Sequence, residues 1–574
     1  MNTIIKRRPN TASENLPLIE RLFCARGVSG IEASGLSDIP PFDTLHGIHD
    51  AATLIADAIE TGRHIRIIGD YDVDGATSTA LVYRALALLG AKRVSFAVPN
   101  RITQGYGLSP ALVQDAARDE ARLLITVDNG ISAFEGVDTA RYLGLQVVIT
   151  DHHLPGERLP NADAIVNPAI PGQDFPSRSL AGVGVAFYVM AAARAELDSR
   201  GAFAGRDKPS LSSLLDLVAL GTVADVVKLD SLNRTLVRAG LRRIRHGMTA
   251  TGLRALVDVA GRDITHLSET DLAFGVAPRL NAAGRLDDMT LGIECLLATD
   301  TEQARCLAGL LDITNQRRRE IEQTMRAEAL AECENLLDSL NNETPPPGLC
   351  VFQNDWHEGV VGLVAGKLKE RFHRPAVAFA PGADGMLKGS ARSIPGIHIR
   401  DVLADIESRS PGLLPKFGGH AMAAGLSIDA ERLDTFRPLW ETAIAERADP
   451  HAFEPVILTD GELAPDDLSL ASAIDIEAAG PWGQGFPEPL FDGEFTVTGA
   501  RIIGKEGNHL RLDLLDPRSG KIFPSVAFNH ADIGLDDDPR GQSARFVYRL
   551  SANRFRGDVS LQLMVEAYDL PVAP

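Results

Sequence analysis

Residues 65–75 read IRIIGDYDVDG, an apolar run that stops at three alternating aspartates, Asp70, Asp72 and Asp74. The β-branched run ending in Gly69 predicts a buried strand leading into a turn, and residues 76–89 predict a helix. Strand, loop, helix is the unit that places loop side chains at the carboxyl edge of a parallel sheet, where open α/β folds bind their ligands. Residues two apart in an extended loop project to the same side. Carboxylates held that close repel one another, and a divalent cation is the usual remedy. The competing reading is a helix cap at Asp74 beside two solvated acids, and the stretch alone leaves both open.

Working outward, strand and helix patterns alternate as far as about residue 230. Further strands are predicted at residues 93–98 (RVSFAV), 123–127 (LLITV), 145–150 (LQVVIT) and 164–166. Of these, the LLITV run ends at Asp128, and LQVVIT ends at Asp151, His152 and His153. A doubly wound sheet brings such exits to one edge. Asp128 before Asn129 and Gly130 is also ordinary turn chemistry, but acids or imidazoles at three strand exits together point to a metal site. Asp225, in TVADVV beside the apolar run at 211–220, needs a partner if buried.

Residues 232–298 read as helical and end in RLNAAGRL at 279–286. Arg279, Asn281 and Arg285 suit hydrogen bonding to phosphate oxygens, although arginines near a turn need no such role. A long helix is predicted from Asp300 to about residue 341, with Leu307, Leu310 and Leu311 on its packed face, ending before Pro345, Pro346 and Pro347. A second α/β pattern follows and contains GSARS at 389–393 and GGHAMAAG at 418–425, small residues around Ser390, Arg392 and His420. From about residue 455 apolar residues alternate with polar ones in about five runs, the strand count of an OB barrel. Arg501, Lys505, His509, Arg511, Arg545, Arg549, Arg554 and Arg556 interleave there with Phe546, Tyr548 and Phe555. That mixture suits a single strand of nucleic acid, and a solvated barrel face explains the charges almost as well.

The 574 residues suffice for several domains, with 45% apolar content for their cores. A formal net charge of -20 excludes global attraction to nucleic acid or anionic membranes, so any polyanion must bind through local basic patches or metal ions. Cys24, Cys295, Cys306, Cys333 and Cys350 are odd in number and lack CxxC spacing, which argues against a disulfide framework or a zinc knuckle. The start of the chain lacks the apolar segment of a signal peptide, and the longest apolar run, at 180–193, is too short to span a bilayer. A soluble, cytoplasmic protein is expected.

DYDVDG, TVDNG, TDHH and TVADVV in this order resemble the DHH phosphoesterase family, named for the triplet at Asp151 to His153, while GSARS and GGHAMAAG resemble its DHHA1 companion domain. With RLNAAGRL, WHEGVVG at 356–362 and the terminal barrel, the chain is similar to the bacterial members of that family that degrade single-stranded DNA from 5′ to 3′. The resemblance implies an α/β fold. Residues 45–299 would form a DHH-type parallel-sheet catalytic domain, joined by a connecting helix at 300–342 to a DHHA1 domain at 343–452. An OB-like nucleic-acid-binding barrel would follow at 453–574. Residues 1–44 lie before the resemblance and form an N-terminal extension, whose mix of charge, proline and a short amphipathic piece suits wrapping or capping the first domain. It further implies that Asp72, Asp74, Asp128, His152 and Asp225 bind two divalent ions, manganese or magnesium, with Asp128 between them. Asp151 would orient its neighbours and His153 would contact the scissile phosphate. Arg101, Tyr106, Ser390 and Arg392 would contact the 5′ end, and Arg279, Asn281 and His420 would line the cleft. Some smaller family members carry a metal-binding histidine where this chain has Ile68, and Asp70 is the expected substitute. Single-strand-binding protein and a RecQ-type helicase are the partners implied. The competing functions are a DHH pyrophosphatase or phosphodiesterase for cyclic or short oligonucleotides, and a non-catalytic scaffold that binds single strands.

Overall fold

The run at the heart of the sequence, HIRII, forms the strand His64–Ile68, and four of its five side chains are buried. A strand covered on both faces reads as a continuous apolar run because it lies inside a parallel sheet. In this computed structural model, which describes residues 4–10, 15–28, 35–99, 107–339, 345–382, 385–504, 507–528 and 539–569, the sheet has five parallel strands. They run across the sheet as Arg93–Ala97, His64–Ile68, Leu123–Val127, Gln146–Thr150 and Ala164–Val166. The order reverses between the strands at 64–68 and 123–127, the topological switch point at which doubly wound sheets bind ligands.

The chain divides into two compact units. One holds Pro40–Val227 and Ala239–Pro455, the other Thr3–Ile39, Lys228–Arg238 and Val456–Pro574. In the first unit, the helix Thr301–Ser339 runs 39 residues without interruption, about 58 Å at 1.5 Å per residue. Its first half packs on the helices Thr251–Val259, Thr290–Leu297 and Ala277–Leu286, and its second half on the helix Val361–Phe372 and the strand Leu349–Phe352. Met325, Ala329 and Cys333 enter a common core with Val351, Val360, Val364 and Leu368. Leu311 is fully buried, but Leu310 is 46% exposed and does not share the packed face expected of it.

The second sheet of this unit orders its strands Lys416–Gly419, Ala423–Ile428, Leu387–Arg392, Ala376–Pro381 and Leu349–Phe352. In the other unit, five strands from Phe491 to Asp569 close into a barrel. Closure leaves no exposed sheet edge. Among the first residues, Ile4–Arg7 pairs in parallel with Val456–Thr459, and Arg7 bonds Asp492 at 2.7 Å. These residues belong to the unit of the barrel. Among the described residues no helix is long and apolar enough to cross a membrane.

Candidate metal centre

At the switch point, the exits of three parallel strands and the end of one helix deliver acids and imidazoles to a single place. Asp70, Asp72 and Asp74 follow the strand His64–Ile68, Asp128 follows Leu123–Val127, His152 and His153 follow Gln146–Thr150, and Asp225 ends the helix Leu215–Ala224. The Nε2 of His152 lies 3.0 Å from Asp128 Oδ1, 3.5 Å from Asp225 Oδ2 and 4.0 Å from Asp74 Oδ2. Two groups of ligand atoms, each within 4.8 Å of one another, stand side by side: Asp74, His152 and Asp225 in one, Asp70, Asp72 and Asp128 in the other. Asp128 also groups with His152 and His153, so it borders both.

Backbone donors fix the carboxylates. Asp74 is held at both oxygens by the first turn of the helix Gly182–Ser199, with Gly182 N–H donating to Oδ2 at 2.7 Å and Val183 N–H to Oδ1 at 2.9 Å. Asp72, not Asp74, caps the helix Val73–Leu89, accepting from Gly75 N–H at 2.9 Å. Asp151 accepts from the backbone of Ile131, His152 and His153 and from His153 Nδ1 at 2.7 Å. Asp128 adopts a left-handed φ of 62°, a conformation that aspartate tolerates at modest cost and that recurs at functional sites. Close approach demands glycine around it. A Cβ on Gly182 would stand 2.7 Å from Asp128 Cβ, one on Gly221 2.8 Å from Asp74 Oδ1, and one on Gly284 1.8 Å from the Tyr71 carbonyl. Sequence reasoning did not single out Gly182, Gly221 and Gly284, although LAGVG and RLNAAGRL carried the signal of small residues inside helices.

The electrostatics oppose a cluster of bare carboxylates. Burial, reinforced by Asp225 and Asp72, holds Asp74 well above the usual carboxylate range. Burial and Asp74 do the same to Asp128. Asp225 is pushed up to about 7 by burial and by Asp72. Burial, with His153 nearby, lowers His152 to about 4. Its contacts with the carboxylates are therefore not ion pairs: the ring is neutral at pH 7, and among the described residues its buried Nε2 makes no hydrogen bond. A neutral imidazole nitrogen aimed among convergent carboxylate oxygens is the donor set of a divalent ion, and one without thiolate suits manganese or magnesium. His153 differs. Burial opposes its charge, but the hydrogen bond to Asp151 raises it to about 9. Asp151 in turn is lowered, because the bonds from His153 outweigh its burial.

The second sheet supplies a neighbouring polar surface. Ser390 and Arg392 lie on the strand Leu387–Arg392, opposite Gly425 and Ala423 of GGHAMAAG. Arg392 donates to Ser390 Oγ at 2.8 Å. A Cβ on Gly362, in the first turn of the helix Val361–Phe372, would come within 2.9 Å of both side chains. His420 is lowered by burial and then by the charge of His153, which places it within electrostatic reach of the cluster. Asn281 lies one turn before Gly284 on the helix Ala277–Leu286, the helix that touches the Tyr71 carbonyl. Arg279 is engaged elsewhere. It pairs with Asp312 at 2.8 Å and donates to the Gly275 carbonyl at 2.5 Å, with only 8% of its surface exposed. Arg101 and Tyr106 lie outside the described residues.

In the barrel, Phe546 and Tyr548 are fully buried and form core, not a stacking surface. Arg545, Arg549 and Arg554 are paired with Asp492, Glu488 and Glu477. What remains for a ligand is a face on which Arg501 stands directly opposite Arg511, and His509 meets the half-exposed Phe528 edge-on at 4.9 Å. Like charges opposite one another across a sheet are unfavourable until an anion lies between them. Phe555 is 64% exposed, and Lys505 lies outside the described residues.

Comparison with known proteins matches three models along the chain: the DHH family, N-terminal domain, at residues 64–222, the DHHA1 domain at 347–446 and the RecJ OB domain at 459–567. The single-stranded-DNA-specific exonuclease RecJ of Dickeya dadantii is 49% identical over 572 residues, covering 98% of each chain. That of Escherichia coli is 46% identical over 96% of this chain and 95% of its own. Among solved structures, RecJ of Thermus thermophilus in complex with Mn2+ superposes with a TM-score of 0.78 at 30% identity, over 97% of this chain and 76% of its own.

Proposed function

The chain belongs to the RecJ family of single-stranded-DNA-specific exonucleases, and on that premise we propose that it hydrolyses single-stranded DNA, dependent on divalent metal, from the 5′ end to 5′-mononucleotides. The observation that carries the reading is the convergence of Asp74, Asp128, His152 and Asp225 at the switch point, with Asp70 and Asp72 alongside. Asp74, His152 and Asp225 would hold one manganese or magnesium ion, Asp70 and Asp72 the other, and Asp128 both. Asp70 thus takes the place of the histidine that Ile68 replaces. Ions so held supply a nucleophile at neutral pH and offset negative charge on the phosphoryl oxygens.

The protein's own groups do the positioning. The amide groups of Gly182 and Val183 keep both oxygens of Asp74 in place, and a carboxylate at a helix N-terminus is also favoured by the helix dipole. His153, kept protonated by Asp151, offers a cationic donor to the scissile phosphate. His420 and Asn281 line the same cleft. Ser390 and Arg392, beside the first turn of the helix Val361–Phe372, would grip a terminal phosphate with charge-assisted bonds, joined by Arg101 and Tyr106. Arg279 would reach a phosphate only by leaving Asp312. The barrel face around Arg501, His509, Arg511 and Phe528 would hold the continuing strand by its phosphates and by stacking.

Work in DNA repair and recombination, in the cytoplasm, with single-strand-binding protein and a RecQ-type helicase, completes the proposal. The decisive test is digestion of 5′- and 3′-labelled single strands with manganese. Mononucleotides bearing the 5′ label should appear first. Earlier release of the 3′ label, or equal attack on duplex, would refute the reading. Turnover of pyrophosphate in place of DNA would favour the smaller phosphatases, which give the barrel no task.

A further inference from the structure

The helix Leu215–Ala224 leads to Asp225 at one end and begins, about 14 Å away along its axis, at a second polar feature. There the buried Asp216 accepts hydrogen bonds from Thr249 Oγ1 at 2.9 Å and Ala250 N–H at 2.7 Å. These bonds fasten the turn that enters the helix Thr251–Val259. Beside that turn opens a cavity of about 380 Å³, whose walls include Thr249, Thr251, Arg254, Asp258, Thr301 and Arg305. That volume falls in the range of small-ligand sites, about 300–1,000 Å³.

The lining is cationic. Arg254 and Arg305 oppose a single carboxylate, Asp258. Among the described residues neither guanidinium has an ion-pair or hydrogen-bond partner. Within the same unit, residues 239–262 contain five arginines and one acid in a chain of net charge -20, although Asp300 and Glu302 flank Thr301. The residue before the helix Thr251–Val259 is Ala250, so no side chain caps its first turn. The hydroxyls of Thr251 and Thr301 add neutral donors, while that of Thr249 is committed to Asp216. Two planar guanidiniums and free hydroxyls lining one cavity suit phosphoryl oxygens, and a cavity of this size has room for the sugar and base as well.

We propose that this pocket is an accessory site for a nucleotide phosphate, clamped by Arg254 and Arg305 and separate from the carboxylate cluster. It rests on the reading of the chain as a DNA nuclease only in the choice of a nucleotide as the anion. The phosphate belongs either to a free deoxynucleoside monophosphate or to a residue of a bound strand.

The full chain in EDTA, where the metal centre is idle, separates these sources. Inorganic phosphate and dAMP are titrated by calorimetry, and a (dT)20 strand by fluorescence anisotropy, against wild type, the R254A/R305A double variant and the charge-preserving R254K/R305K. Both arginines are on the surface, and thermal melting confirms that the variants fold. A tenfold or larger loss of dAMP and phosphate affinity in R254A/R305A, partly restored in R254K/R305K, supports the site with free nucleotide as its ligand. A comparable loss confined to (dT)20, with a shallower salt dependence, supports it with the strand as ligand. Equal affinities of wild type and R254A/R305A for all three probes overturn the proposal. Digestion of a 5′-labelled strand with manganese by the same preparations reports separately on the nuclease reading, so either can fail without the other.

Discussion

Asp225→Asn should stabilise the metal-free protein and lose that advantage when metal is added. Asp225 is pushed up to about 7 from an ordinary 3.8, and 21% of its side chain remains exposed. Below pH 3.8 the carboxyl is neutral whether the chain is folded or not, and the site costs nothing. Between 3.8 and 7 only the unfolded chain ionises, so folding stability falls as pH rises, and above 7 the cost is constant. Integrated over that window, the cost is about 2 kcal/mol at pH 5 and about 4 kcal/mol at pH 8. Asparagine does not ionise and escapes it. In urea titrations with EDTA, the variant should therefore exceed wild type by about 3–4 kcal/mol at pH 8 and by about 1–2 kcal/mol at pH 5. Saturating manganese should cancel the difference at pH 8, because an ion at 1,000 times its dissociation constant stabilises by about 4 kcal/mol and the variant has lost a ligand for it. A variant no more stable than wild type in EDTA at pH 8, or one whose advantage survives manganese, would refute the assignment of Asp225 to a metal-compensated cluster.

Three further outcomes are expected. Gly284→Ala places a methyl group 1.8 Å from the Tyr71 carbonyl. Displacement of the acidic loop should cost about 1–3 kcal/mol of stability and about a hundredfold or more in nuclease rate, measured by unfolding and single-turnover digestion. Asp151→Asn removes the partner that raises His153 to about 9, so the alkaline fall in rate should move about two pH units lower while the acid limb stays. Cys295, Cys333 and Cys350, each pushed up to about 12 by burial, should resist an aromatic disulfide reagent at pH 8 until the chain is unfolded, whereas the exposed Cys306 should react at once.

The parallel sheet and its acids were legible because each signal is local. A β-branched run that stops at a carboxylate marks both a strand and the edge where it ends, and three such runs, with two further apolar runs in order, fix the sheet. What holds the acids was not legible, because the contacts join residues far apart in the chain. Nothing near Asp74 announces that the amides of residues 182 and 183 will clasp it. The barrel shows a different failure. Phe546, Tyr548 and Leu550 share one face of a strand by the period of two, which is the signature of core, and all three are buried. Arg545 and Arg549, on the other face, should have been separated from them instead of being counted as one basic and aromatic surface. The partner of Arg279 was hidden for a third reason: Asp312, 33 residues downstream, takes its guanidinium through a contact that no local pattern encodes.

A cluster of carboxylates that binds divalent ions acts on any phosphodiester that reaches it, so strand polarity must come from elsewhere in the protein. The helix Ala277–Leu286 shows how it could be imposed. Gly284 packs on the carbonyl of Tyr71, inside the acidic loop, and the Arg285 carbonyl lies 2.4 Å from where a Cβ on Gly359 would be. Gly359 belongs to the segment that leads into the helix beside Ser390 and Arg392. Backbone contacts at two consecutive residues near the end of one helix thus fix the spacing between the proposed ions and the proposed grip on a terminal phosphate. Glycine at both contacts removes the side-chain layer whose rearrangement would let that spacing drift. With the spacing rigid, the length of the product follows from geometry, and cleavage one nucleotide from a gripped 5′ phosphate needs no further element to count. A substitution at Gly359 should therefore alter product length or end preference before it alters metal affinity, the reverse of one at Gly284.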